Sequence, residues 1–200
     1  MRDFLTTVLV TLVSTSALAQ MGNPAEWAPD TRMEEPRVPA AHQTNNQDRL
    51  FAQLAAAGGL AEVDFGKLAA TKAADSSIKE FAEAMVHDHS NANDKLKALA
   101  DAAKIPLPDS MDADHKAIRQ KRDAAEGQAF DVAYIRSQIV DHQKTAQLLT
   151  WEIGSGEDAQ LQQYAAATLP VVMKHLRLAQ NIASVLTGQA SREIVAMQHK

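Results

Sequence analysis

Three histidines and one glutamate stand where helical periodicity calls for apolar residues: Glu62, His89, His142 and His175. From Ile78, alternate steps of four and three residues read Ile78, Ala82, Met85, His89, Ala92, Leu96, Leu99 and Ala103, an apolar helix seam broken only by the imidazole. The other seams repeat the device. Phe51, Ala55, Gly58, Glu62, Phe65, Ala69 and Lys72 carry Glu62; Val132, Ile135, Ile139, His142, Ala146, Leu149 and Ile153 carry His142. Leu161, Ala165, Thr168, Val172, His175, Ala179, Ile182 and Leu186 carry His175. Unpartnered, each such group costs about 1–3 kcal/mol when buried, so the set needs an ion, water or one another. Imidazole and carboxylate donors suit a divalent metal, and a closed hydrogen-bond network suits them as well.

Residue counting tests whether they meet. Glu62 and His89 lie equally far from the turn near Asp75, so an antiparallel hairpin levels them, and His142 is central in its own helix. His175 falls about 7 Å from the level of His142 across the turn at Gly156, which leaves its membership open. Asp88 and Asp141, each one residue before a candidate ligand, are placed to orient an imidazole on a neighbouring helix. Asp112 precedes His115 by three residues and could pair with it, but solvation is expected for His115, as for His87 and His199. Met85 and Met173 read as core filling.

Four helices of this kind imply an all-α four-helix bundle over 47–187, predicted as Gln47 to Lys72, Ser77 to Lys104, Gln128 to Ile153 and Asp158 to Thr187. Gly58-Gly59 suggests a close helix approach, and Pro170 a kink before His175. The stretch from Pro106 to Gln128 is long enough to cross the whole bundle and predicts a short extra helix, Asp112 to Ala125, capped by Asp109 or Ser110 and ended by Gly127. A polar tail follows, 188–200.

Arg2, the apolar run Phe4 to Val13 and Ala17-Leu18-Ala19 form the pattern of a signal peptide over 1–19, cleaved before Gln20, which implies export, to the periplasm in a Gram-negative cell. No later run is long enough to span a membrane. The proline-rich segment 20–46, with Trp27 and His42, reads as a flexible tether. A net charge of -5 and the absence of cysteine argue against a nucleic-acid partner and exclude thiolate metal sites. A protein partner or a homo-oligomer is left open.

Gly58-Gly59-Leu60-Ala61-Glu62, Phe81-Ala82-Glu83-Ala84-Met85 through Asp88-His89, Phe130-Asp131 with Tyr134, Asp141-His142, and Leu169-Pro170 followed by His175-Leu176 resemble the bacterial exported family known as domain of unknown function 4142. The resemblance extends over about Asp48 to Ser184 and implies a ferritin-like bundle, with no activity attached. Arg136 and Gln138 stand in the turn before Asp141, where a di-metal carboxylate protein would carry acids, and Glu-x-x-His occurs nowhere. Di-iron is therefore disfavoured, and copper or zinc is the expected metal if one binds. The leading expectation is a non-enzymatic bundle with an internal His/Glu site, in metal handling or envelope stress. The alternatives are a structural or interaction module with a buried network, and a metal-dependent oxidase.

Overall fold

A computed structural model describes residues 45–198, with side chains through Gly188; the expected signal peptide and nearly all of the tether lie outside the described residues. Five helices follow one another: α1 (Asn46–Lys72), α2 (Ser76–Ala103), α3 (Ala113–Ala124), α4 (Gly127–Ser155) and α5 (Ala159–Gln198). The chain is an all-α bundle, and no described helix is long and apolar enough to cross a membrane.

Local chemistry fixes the ends. Asn45 and Asp48 form a reciprocal capping box on α1. Asp75 accepts from the Ser77 N–H to start α2, and Lys104 closes it in the left-handed region at φ 56°. Asp112, rather than Asp109 or Ser110, caps α3, because its carboxylate reaches the His115 N–H at 2.9 Å. Ala125 ends α3, and Gly127 instead opens α4 with φ 55°. The last helix continues through Pro170 and past Thr187 to Gln198, so 188–198 is helix where a polar tail was expected. Proline removes one hydrogen bond without ending a helix whose neighbouring turns are packed.

Two long-range ties set the topology. The Asp131 carboxylate, near the start of α4, accepts from the Ala74 and Asp75 N–H groups in the α1–α2 turn, at 3.0 and 2.9 Å. Asp48, at the start of α1, accepts from Glu157 N–H just beyond the end of α4, at 3.0 Å. Helix α4 is thus antiparallel to α1 and parallel to α2, which requires the long crossover that α3 occupies. Helices α1 and α2 pack as one hairpin, α4 and α5 as the other, with α1 on α4 and α2 on α5. That is ferritin-like topology. The close approach of α1 to α2 is marked by Gly59, where a Cβ would strike the Asn93 side chain, and by Gly66, where it would lie 3.0 Å from the Ala82 carbonyl oxygen.

The apolar core is in two parts. One contains Phe65, Ile78, Phe81, Met85, Phe130, Tyr134 and Ile135, toward the Asp75 turn. The other contains Phe51, Leu96, Leu148, Leu149, Leu161 and Val172, toward the Gly156 turn. Between them lies a polar layer.

Candidate metal centre

The layer contains every inward residue that the seams marked. Glu62, His89, His142 and His175 are all buried, with His142 and His175 each 1% exposed. The three imidazoles form a triangle with ring centroids 5.5 to 5.6 Å apart. One ring nitrogen of each lies within 4.8 Å of the others.

His175 belongs to the set after all. Cα–Cβ bonds tilt toward the helix N-terminus, and in an antiparallel pair those tilts are opposed. His175 therefore leans back toward the Gly156 turn while His142 leans away from it, which closes the offset that counting along the axes gives.

Hydrogen bonds orient two of the rings. His142 Nδ1–H donates to the Gln138 carbonyl oxygen at 2.9 Å, which leaves Nε2 as the lone-pair nitrogen. His175 Nε2–H donates to Asp88 Oδ2 at 2.9 Å, which leaves Nδ1. These two nitrogens, with His89 Nε2, are buried and have no hydrogen-bond partner. Burial pushes the His89 imidazole down to about 3, helped by His142 and His175, and pushes His142 down to about 4 against its bond to Gln138. His175 is also lowered by burial, against the pull of Asp88. All three rings are neutral at pH 7, the form that binds metal. Desolvation of Asp88 is outweighed by His87 and His175, which hold its carboxyl below the usual range, so it is ionised and accepts from both.

Glu62 sits beside the triangle rather than in it. Its Oε1 is 4.0 Å from His142 Nδ1, the nitrogen already donating to Gln138, and its Oε2 accepts from Gln138 Nε2 at 2.8 Å. Burial raises its pKa, opposed by Gln138 and then Arg122.

Asp141 does not orient an imidazole. One position round the helix from His142, it faces α3, where its Oδ2 lies 3.7 Å from Arg122 Nη2. Burial and the neighbouring Glu62 push its carboxyl up to about 6, against Arg122. Arg122 is itself buried, stacked 3.8 Å above the Phe65 ring, and donates to Ser137. Sequence periodicity gave no sign of this residue, because α3 has no apolar seam of its own and buries Arg122 only by lying across α1 and α4.

His115 is likewise buried rather than solvated. Its backbone N–H and its Nδ1 both bond Asp112, the ring nitrogen at 2.5 Å, and its ring lies 6.0 Å from that of Phe65. The buried stripe of α4 is also wider than its seam: Tyr134, Gln138 and Glu152 are buried as well as Ile135, His142 and Leu149, and Ile153 is exposed. Met85 is core, whereas Met173 is 45% exposed.

A second polar pair went unread in the sequence. Asp48 and Glu152, both fully buried, meet where the start of α1 adjoins the end of α4. Burial pushes the Glu152 carboxyl up to about 8, reinforced by neighbouring Asp48, and neither of its oxygens has a hydrogen-bond partner. Asp48 accepts from the Asn45 and Glu157 N–H groups, and Glu152 keeps its own proton at pH 7.

Fold and centre define the class: a ferritin-like helical bundle whose interior presents three convergent, neutral imidazoles. Residues 33–182 match the family described as Domain of unknown function (DUF4142), and the chain belongs to that family. No curated protein and no solved structure matches it.

Proposed function

We propose that this protein holds one transition-metal ion, zinc or copper, on His89, His142 and His175, and that it acts in metal handling rather than as an enzyme. The observation that carries the reading is three buried imidazoles within ligand reach of one another, in which His142 Nε2 and His175 Nδ1 are lone-pair nitrogens fixed by their other hydrogen bonds and, like His89 Nε2, have no hydrogen-bond partner. A closed hydrogen-bond network would offer a donor to each acceptor. Neutral imidazoles in a cysteine-free, buried set suit zinc or copper, and contraction from 4.8 Å to the roughly 3.4 Å between ligands of a tetrahedral ion needs only small ring movements. Gln138 and Asp88 hold two of the rings from behind, the usual support for metal-bound histidine.

The pattern Arg2, Phe4 to Val13 and Ala17-Leu18-Ala19 supports placing the protein outside the cytoplasm, and N-terminal sequencing of material from fractionated native cells should begin at Gln20. Full-length protein retained in the membrane would refute that part.

The metal reading is tested by melting the metal-free protein with Zn(II), Cu(II) or Fe(II). At 100 times its dissociation constant, a ligand specific for the folded state stabilises by about 2.7 kcal/mol. His142→Leu should abolish the shift, and Asp88→Ala should weaken affinity by about 10- to 100-fold. Should no metal give a saturable shift that His142→Leu removes, the layer is structural.

A further inference from the structure

A cavity of about 40 Å³ is lined by residues of all four long helices, among them Gly58, Glu62, His89, Asn93, Thr145 and Thr168. Helix directions fix its level along the bundle. Asn93 follows His89, Thr145 follows His142, Thr168 precedes His175 and Gly58 precedes Glu62, and in this topology all four displacements run toward the Gly156 turn. The cavity therefore lies directly on that side of the histidine layer, between it and the core half containing Phe51, Leu96 and Leu161.

Two observations mark it as a site for a small guest beside the ion. Of the three imidazoles His89, whose unpartnered Nε2 would hold the ion, lines the wall, so an ion bound there borders the cavity, and buried Asp141, paired only at 3.7 Å with Arg122, lines it as well with Oδ2 free of hydrogen bonds. A Cβ built on Gly58 meets nothing within 4 Å, so α1 leaves the space open at a position where any other residue would project a side chain. The volume admits roughly one to three waters and no organic molecule of ordinary size.

We infer that this cavity receives an exogenous ligand of the metal, a donor molecule of no more than three heavy atoms, at the coordination position that three histidines leave open. The inference rests on the metal reading above. Three protein ligands leave a four-coordinate ion one exchangeable position, unlike the closed four-ligand set of a structural site, and the cavity sets the size limit on what exchanges there. Asn93, Thr145 and Thr168 supply polar groups on its wall, while Leu54, Leu148 and Val172 limit its width.

Co(II) serves as the spectroscopic probe of the ion, and azide, cyanide and imidazole as ligands of graded size. The Co(II) spectrum should depend on His142; if it does not, the metal reading and this inference fall together. Given that spectrum, azide and cyanide should change it saturably and imidazole should not. Gly58→Leu, which fills the cavity from α1, should keep the Co(II) spectrum and weaken azide by at least tenfold. A His142-dependent spectrum insensitive to azide overturns the inference and leaves the metal site standing. So does imidazole binding as tightly as azide, or azide affinity unchanged in a Co(II)-loaded Gly58→Leu. If that variant does not hold Co(II), the size series on the unaltered protein decides alone.

Discussion

The histidine layer and the Asp48–Glu152 pair are both places where this bundle buries groups of like character against each other, and they resolve the conflict in opposite ways. At the carboxyls a proton relieves the conflict, because burial penalises the charged form: Glu152 is pushed up to about 8 and stays neutral. Three imidazoles have no such remedy. Burial, with repulsion from His142 and His175, pushes His89 down to about 3, and burial pushes His142 to about 4, so the proton that would join the lone pairs is refused. A buried carboxyl neutralises itself by keeping a proton, whereas buried neutral imidazoles keep lone pairs that a proton does not fill.

The largest expected effect is acid destabilisation through the histidines. Their values in the folded chain are depressed below the unfolded 6.5, so as pH falls through 6.5 the unfolded chain takes up protons that the folded chain refuses, and stability drops toward pH 4. For His89 and His142 together the loss is on the order of 5 kcal/mol between pH 7 and pH 4, measured by urea denaturation of the metal-free protein. His142→Leu should remove its share of that slope. A slope unchanged by the substitution would mean that the rings are already protonated and that the contrast with the acid pair is false.

The second effect has the opposite sign. Glu152 has its folded value raised above the unfolded 4.5, so its contribution is complete below 4.5 and is lost as pH rises through about 8. The loss is on the order of a few kcal/mol by pH 9, and Glu152→Gln, neutral at every pH, should flatten this limb while leaving the acid limb in place. Equal effects of Glu152→Gln on both limbs would join the two regions into one titrating network.

The smallest effect is a control between them. Gly58→Ala adds a Cβ that touches nothing, so it should stabilise α1 by about 0.5–1 kcal/mol through helix propensity, with both pH limbs unchanged. Gly59→Ala should gain less, since its Cβ must displace the Asn93 side chain.

Much of this was legible in the residues. Apolar seams with a single ionisable interruption gave four helices and placed Glu62, His89 and His142 at one level, because burial follows helical period and level follows from counting residues to a turn. Counting alone misplaced His175, since it follows helix axes and not the lean of the side chains. Periodicity alone misread Asp141 and His115, since each depends on where α3 lies, and α3 carries almost no apolar signal; Ile153 is exposed at the far end of α4, where its neighbour Glu152 is buried near Asp48 instead. Asp48 and Glu152 were hidden for another reason: each sits near a helix end, where an acid ordinarily reads as a cap or a solvated residue.

By itself the sequence determined the helices, their inward faces and the presence of a polar layer, because these rest on spacing along one chain and on capping chemistry that is local. Only the tertiary structure decided which nitrogen of each histidine is left over, which acid orients a ring and which is taken by Arg122, and that the layer borders a cavity. Those depend on the rotation of each helix about its axis against three neighbours, and one residue of rotation, about 100°, exchanges Asp141 for His142 or Ile153 for Glu152.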